Sequence, residues 1–323
     1  LAWQAGIFGQ FALHKLGYGE TRERFELTAQ AAVRCIAKVA DTYKRDRKVR
    51  REFRKHAAQP YDDRILRFTT GDIVSIWTVA GRMKIPFVCG EHQRRLLATR
   101  KGEVDLMLVR SKFYLACVCD VDDPEMIKTI DVLGVDFGVV NIAVDSQGRS
   151  YTGATVEKAR HRHQSRRRAL QKIGTKSAKR ALRMAAGKQK RFQRHTNHVV
   201  SKAIVADAQR GRSALAIEDL EGIRDRIQAK RRQRARLHNW GFYDLRTLIT
   251  YKAKLAGIPV LLVDPRNTSR QCPCCGAIDK ANRPSRDRFS CASCGHAGPA
   301  DHIAARNIRA RGLNVMAPQG STA

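Results

Sequence analysis

The chain has 323 residues, and its 43% of hydrophobic residues can build packed cores, which excludes a disordered polycation. Lysine and arginine number 62 against 30 aspartates and glutamates, so the net charge is +32. This excess predicts a polyanionic partner, DNA or RNA, and argues against a metabolic enzyme with a small neutral substrate.

The first half of the chain predicts a helical part followed by strands. The chain begins with Leu1 rather than methionine, so we expect its true N-terminus to be missing. Apolar residues recur at helical spacing in a predicted helical stretch over 13–48. A β-rich module, a small barrel or curved sheet, is predicted over about 60–125. Its expected strands are residues 73–79 and 87–89 and a hairpin of 104–109 with 113–121.

A different pattern begins at residue 131. The predicted elements are strands 133–137 and 139–144, a third strand near Tyr151, a basic helical tract over 158–194, helix 197–209, strand 215–218, a second basic run over 224–236, helix 239–256, strand 258–264, a cysteine cluster, helix 301–311 and a loose tail from Gly312. Three meandering strands followed by alternating helices and strands indicate an α/β fold with a mixed sheet. The order fits an RNase H-like arrangement, an analogy of fold that leaves the function to the site.

Three acidic residues stand out in this basic chain. Asp136 lies within a strand between Gly134 and Gly138, Glu218 ends the apolar run 214–217, and Asp301 opens the last predicted helix. A carboxylate within a strand is costly to bury unless it is paired. Taken singly, Asp301 is explained as a helix N-cap and Glu218 as a loop residue. Together the three predict a site for Mg²⁺, two ions that activate water for phosphodiester cleavage.

The cysteine cluster predicts a second metal site. Residues 272–276 and 291–295 each fit C-x-x-C-G, and 15 residues (276–290) separate Cys275 from Cys291. The symmetry of the two turns selects Cys272, Cys275, Cys291 and Cys294 over Cys274 as ligands of a structural Zn²⁺. An iron–sulfur site is the alternative. The clustering also indicates a reducing compartment.

Two basic tracts predict contact with nucleic acid. Residues 158–194 contain 15 lysines or arginines and no acid. A charge run is usually a solvated face, but this one exceeds that expectation. The residues expected to contact phosphates are Arg166, Arg167, Arg168 and Lys172 in the first tract and Arg231 and Arg232 in the second.

These motifs together resemble the TnpB (OrfB) proteins of insertion sequences, which are compact relatives of type V CRISPR effector nucleases. The matching pieces are GVDFG at 134–138, IEDL at 217–220, DPRNTSRQC at 264–272, the cysteine ribbon, DHIAARNI at 301–308 and, less specifically, NHVVSK at 197–202. The resemblance covers residues 131–311 specifically and the N-terminal part in layout alone.

The resemblance implies an RNA-guided DNA endonuclease with guide RNA and a double-stranded DNA target as partners. Asp136, Glu218 and Asp301 would be its catalytic acids. The implied domains are a helical recognition part (1–59), a wedge-like β module (60–130), a RuvC-type nuclease domain of RNase H-like fold (131–264), a zinc ribbon that binds target nucleic acid (265–300), and the last nuclease helix with the tail (301–323).

Other functions share parts of this evidence. A guided regulator that does not cut would have no need of the three acids. An unguided, structure-selective nuclease would need neither the long basic tracts nor the β-rich module. A transposase uses the same carboxylates and metals, so the residues leave it open. No apolar run approaches a membrane span, so we expect no membrane partner. We expect a cytoplasmic, nucleoid-associated protein of a bacterium or archaeon, encoded by a transposable element.

Overall fold

The structure is a computed structural model that describes residues 1–138, 140–219 and 242–317. It divides into two compact units, Leu1–Asp122 and Asp123–Ala323. Within the described ranges, none of the helices combines the length and apolarity needed to cross a bilayer. The predicted basic run 224–236, with Arg231 and Arg232, lies outside the described residues.

The first unit begins with helices. These are α1 (Ala2–Ala5), α2 (Gln10–Phe25) and α3 (Ala29–Arg45). The helical stretch predicted over 13–48 is present as two helices, α2 and α3, because Glu26 adopts a left-handed φ of 53° and its N–H bonds to the carbonyl of Arg22. Leu13 of α2 packs with Ile36 and Tyr43 of α3, so the two helices form a small core of their own.

Two antiparallel sheets follow in the same unit. Their strands are β1 (Gln59–Tyr61), β2 (Leu66–Thr69), β3 (Ile73–Thr78), β4 (Gly81–Pro86), β5 (Arg100–Val109) and β6 (Lys112–Cys119), with helix α4 (Glu91–Leu97) between β4 and β5. The orders are β1-β5-β6 and β2-β3-β4. A shared core of Leu66, Val74, Ile76 and Val104 joins the two sheets. The strand predicted at 87–89 is wrong, because β4 already pairs along all of β3 and ends at Pro86 opposite Ile73.

The second unit is built on a five-stranded mixed sheet. Its strands are β7 (Asp131–Asp136), β8 (Asn141–Asp145), β9 (Ser150–Thr152), β10 (Ser213–Glu218) and β11 (Val260–Val263), in the order β11-β10-β7-β8-β9. β7, β8 and β9 form an antiparallel meander. β10 runs parallel to both β7 and β11. The predicted α/β fold with a mixed sheet is therefore present.

The second unit has five described helices, α5 (Ala154–Ile173), α6 (Lys176–Ala185), α7 (Lys188–Arg210), α8 (Phe242–Leu255) and α9 (Ala300–Met316). Of these, α7 and α8 pack on one face of the sheet and α9 on the other. Since side chains alternate along a strand, Leu133 and Leu215 pack with Ile204 of α7 and Ile249 of α8, while neighbouring residues face the opposite side.

Helix α9 covers that opposite face. Val132, Ala214, Ala216 and Val263 pack with Ile308 of α9. The loose tail predicted from Gly312 is wrong for residues 312–316, which continue α9. Gly312 lets the helix approach, since a Cβ there would lie 2.6 Å from Cβ of Ala216.

The cysteine ribbon lies between β11 and α9. It contains the antiparallel pair β12 (Arg288–Ser290) and β13 (Ala297–Pro299). Phe289, which is fully buried, packs with Cys272, Cys291 and Ile303. The ribbon's core is thus continuous with the first turn of α9.

Candidate active site and metal centre

Two of the predicted acids lie at the ends of neighbouring parallel strands. Val135 of β7 is paired with Ile217 of β10, and Asp136 and Glu218 are the next residue of each strand. Because the strands run parallel and in register, the two carboxylates leave the same edge of the sheet on the same face.

Asp301 approaches the same edge from α9. The N-cap of α9 is Pro299 and makes no side-chain cap, so the explanation of Asp301 as an N-cap does not apply. Its Oδ2 instead accepts a hydrogen bond of 2.9 Å from Nδ2 of Asn141 at the start of β8. The structure therefore brings Asp136, Glu218 and Asp301 to one place.

Burial raises the pKa of two of these acids, and repulsion between carboxylates adds to the shift of Asp136. Burial, followed by the charges of Glu218 and Asp301, raises the pKa of Asp136 to about 8, against a lowering effect of Arg283. Burial also raises the pKa of Glu218, against a hydrogen bond from Thr268 and the charge of Arg311. The positive charges of Arg283 and Arg311 therefore offset only part of the effect of burial on these two acids.

The acids fit hard divalent cations. All three offer oxygen ligands, and the one cation close to Asp301 among the described residues is Arg283, 3.9 Å from Oδ1. Their oxygens are not gathered as tightly as the ligand atoms of the cysteine cluster, the one group of at least three potential ligands found in the described ranges. A wider spacing suits two ions, which lie about 3.5–4 Å apart in two-metal sites.

The four predicted cysteines form the second centre. The Sγ atoms of Cys272, Cys275, Cys291 and Cys294 all lie within 4.8 Å of one another. Cys272 and Cys294 are 3.5 Å apart and Cys275 and Cys291 are 3.6 Å apart, close to the roughly 3.8 Å edge of a tetrahedron with 2.3 Å zinc–sulfur bonds. The group therefore fits a tetrahedral ion such as Zn²⁺, and Cys274 lies outside it.

The local backbone shapes both turns and favours the thiolate form of Cys272. Gly276 and Gly295 close the two turns at φ values of 76° and 72°, conformations that favour glycine. Burial of Cys272 opposes ionisation, yet the backbone N–H groups of Cys275 and Cys274 lower its pKa to about 6. A thiolate is the form that binds zinc.

The ribbon and the sheet supply further residues that the sequence did not predict. Oγ1 of Thr268 donates 2.6 Å to Oε1 of Glu218, and Asn141 and Arg283 contact Asp301 as described. Thr268 lies in the 264–272 motif quoted above, but neither its residue type nor its spacing indicated a carboxylate partner.

Part of the first basic tract lines a cleft. Helices α5, α6 and the start of α7 surround a cleft of about 590 Å³ whose lining includes Arg160, His163, Arg166, Arg167 and Arg183. Arg168 and Lys172 lie on the same helix but outside the lining. The cleft therefore concentrates positive charge next to apolar side chains.

Comparison with known proteins finds similar sequences. Residues 242–308 match the family model described as Cas12f1-like, TNB domain. The chain is 34% identical over 219 residues to the CRISPR-associated endodeoxyribonuclease Cas12f1 of Sulfoacidibacillus thermotolerans, covering 62% of this chain and 50% of the relative. It is 25% identical over 259 residues to the TnpB-like protein MJ0751 of Methanocaldococcus jannaschii, covering 76% of this chain and 92% of the relative. A third relative, InsQ of Escherichia coli (strain K12), is named as a candidate RNA-guided DNA endonuclease and is 36% identical over 91 residues, 28% of this chain and 23% of InsQ.

The chain is thus an α/β protein with a four-cysteine ribbon inserted before its last described helix. Its sequence is similar to a TnpB-like protein and to Cas12f1, which confirms the resemblance predicted from its motifs. It spans about half the length of the Cas12f1 relative.

Proposed function

We propose that this chain is an RNA-guided DNA endonuclease that hydrolyses phosphodiester bonds with Asp136, Glu218 and Asp301 as its catalytic acids. The observation that carries the proposal is the convergence of these three carboxylates on one edge of the sheet. Carboxylates hold hard cations without competing as nucleophiles, as phosphodiester cleavage requires.

The proposal assigns an RNase H-like, RuvC-type fold to the second unit. An antiparallel meander of three strands with two further strands parallel to β7 supports this assignment. We likewise propose a division into five segments that form four parts: a recognition part (1–59), a wedge-like module (60–130), a nuclease domain of two segments (131–264 and 301–323) and a ribbon (265–300) that binds target nucleic acid.

The residues of the chain have distinct roles in this chemistry. Bound magnesium, two ions in our proposal, would activate water and stabilise the leaving oxygen. Asp136, Glu218 and Asp301 would hold the ions, and Asn141 fixes the carboxylate of Asp301. Arg283 places a guanidinium beside the acids, a group that suits a phosphate oxygen. Zn²⁺ on the four cysteines is structural in this proposal, because its ligand set is closed.

The positive charge of the chain indicates the chemistry of its partner. A net charge of +32 and the cleft lined by Arg166 and Arg167 suit a nucleic-acid backbone. We propose guide RNA and double-stranded DNA as the partners, with RNA pairing selecting the target. A cytoplasmic, nucleoid-associated location and a transposable-element origin belong to the same proposal.

The guide is tested first. The protein is expressed from its own locus with the flanking genomic DNA and purified, and the RNA that accompanies it is sequenced. We expect one discrete RNA with a constant part and a locus-derived end. Random fragments or no RNA would favour an unguided nuclease or a transposase.

Cleavage is tested next with the RNA-loaded protein and a matching DNA duplex. Asp136→Asn, Glu218→Gln and Asp301→Asn should each lower Mg²⁺-dependent cleavage at least about 100-fold, the result of losing several kcal/mol of transition-state stabilisation. DNA binding should persist. Asp244→Asn, an exposed acid on α8, is the matched control and should cut normally. Unchanged cleavage in the three variants would contradict the site.

A further inference from the structure

A buried hydroxyl contacts one of the proposed metal ligands. Thr268 is 4% exposed and Glu218 is 8% exposed, and the distance from Thr268 Oγ1 to Glu218 Oε1 is 2.6 Å. The same hydroxyl lies 3.2 Å from the carbonyl of Pro265. A hydroxyl has a single proton, and the shorter contact to the charged acceptor is the stronger one.

The loop that carries Thr268 is held from two sides. From α9, Nδ2 of the buried Asn307 donates to the carbonyls of Thr268 (2.7 Å) and Gln271 (2.8 Å), using both of its protons. From the ribbon, Nδ2 of Asn282 donates 2.9 Å to the carbonyl of Arg270. The Thr268 hydroxyl is therefore fixed in space before any metal binds.

Glu218 needs such a fixed partner. Its side chain has three rotatable bonds, whereas Asp136 and Asp301 have two each, so more freedom must be removed to aim its oxygens at an ion. A hydrogen bond to one oxygen leaves the other oxygen and the remaining lone pairs for the metal. Groups that orient a ligand in this way commonly change metal affinity 10- to 100-fold when they are removed.

We propose that Thr268 is a positioning residue that holds the Glu218 carboxylate for the metal, and that Asn307 and the ribbon fix Thr268 for this task. The inference rests on the proposed function in one respect, that Glu218 binds a divalent ion. Separately, the hydrogen bond favours the ionised carboxylate and opposes the burial that raises the pKa of Glu218.

The test measures Mn²⁺ binding to the full chain by electron paramagnetic resonance, without nucleic acid or turnover. Thr268→Val keeps the shape of the side chain and removes the hydroxyl, so Mn²⁺ affinity should fall about 10- to 100-fold. Thr268→Ser keeps the hydroxyl and should stay within about threefold of the wild type. Thr250→Val is the matched control, because the Thr250 hydroxyl bonds only to the carbonyl of Arg246 in its own helix among the described contacts.

Zinc content and thermal unfolding are recorded for each variant. If Thr268→Val fails to fold, Thr268→Cys offers a weaker donor of similar size and should give an intermediate affinity. Equal Mn²⁺ affinity in Thr268→Val and the wild type, with Glu218→Gln still defective, would overturn this inference alone. Mn²⁺ binding that depends on Glu218 and Thr268 without guided cleavage would overturn the proposed function and leave this inference standing. Wild-type binding insensitive to Glu218→Gln would overturn both.

Discussion

Gly134 on β7 lies so close to Arg309 on α9 that a Cβ at position 134 would be 2.4 Å from the Arg309 backbone nitrogen. The carbonyl oxygen of Ala305 would be 2.3 Å away. The side chain of Arg309 reinforces the contact by donating to Asp131 at 2.7 Å and 3.2 Å. The distance between helix and strand is therefore set by main-chain atoms, which cannot move aside as a flexible side chain can.

We expect Gly134→Ala to destabilise the second unit by roughly 1–3 kcal/mol, the usual cost of overpacking, or more because backbone must shift. The measurement is chemical denaturation. Gly298→Ala is the control in the same unit, since its nearest neighbour would be Cδ1 of Ile303 at an ordinary 3.6 Å. Equal stability of the two variants would refute the close approach of α9.

The stability of the metal-free protein should depend on Asp136 and on pH. Folding raises the pKa of Asp136 to about 8, so the folded state binds a proton more tightly than the unfolded state. The resulting stability is fully present below the unfolded pKa near 4 and is lost as the pH rises through about 8.

The side chain of the Asp136→Asn variant at this position is uncharged at every pH, so the variant should not lose stability in this way. We expect the magnesium-free variant to gain on the order of 4 kcal/mol over the wild type between pH 5 and pH 8, three pH units at about 1.4 kcal/mol each, measured by denaturation in a magnesium-free buffer. Mg²⁺ should stabilise the wild type more than the variant. A constant difference between the two proteins across this range would contradict the burial of the carboxylate.

Zinc loading should require Cys275 and not its neighbour Cys274. We expect Cys275→Ser to lose bound zinc and the folded ribbon, since structural zinc supplies folding energy. Cys274→Ser should keep one zinc per chain, measured by elemental analysis. Equal loss of zinc in both variants would contradict the assignment from the two symmetric turns.

The cleft on α5 should contribute to the salt dependence of RNA binding. Each phosphate contact that is lost reduces the slope of log affinity against log salt by about 0.7–0.9. We expect Arg166→Gln and Arg167→Gln each to lower the slope by about that amount. Arg210→Gln is the control, because its guanidinium already donates to Asp207 and it lies outside the lining of the cleft. Slopes equal to the wild type in all three variants would remove the cleft from the RNA surface.

The parts of this protein that follow from local pattern were predictable. Apolar runs ending in Asp136 and Glu218 predicted strands, and parallel strands bring their ends to one edge of a sheet. The ribbon's cysteines followed from their spacing, because two symmetric turns leave little choice of ligand.

The remaining features depend on packing between distant segments. Asn141 meets Asp301 across 160 residues and Thr268 meets Glu218 across 50, and no periodicity relates such pairs. The same holds for α9, whose continuation past Gly312 depends on the small Ala216 beneath it. Glu26, which interrupts the predicted helix, is an ordinary helix former that gives no local signal of a break.

The position of α9 in the sequence has a consequence for synthesis on the ribosome. Chains emerge from the N-terminus at about 5–20 residues per second, so β7 and β10 are made well before the helix that covers Val132, Ala214 and Ala216. Until that helix emerges, the nascent chain presents an uncovered apolar sheet and an acid cluster that lacks Asp301. A chain that ends within the ribbon would therefore lack one of the three proposed metal ligands and would leave the apolar face formed by Val132, Ala214 and Ala216 without its helix.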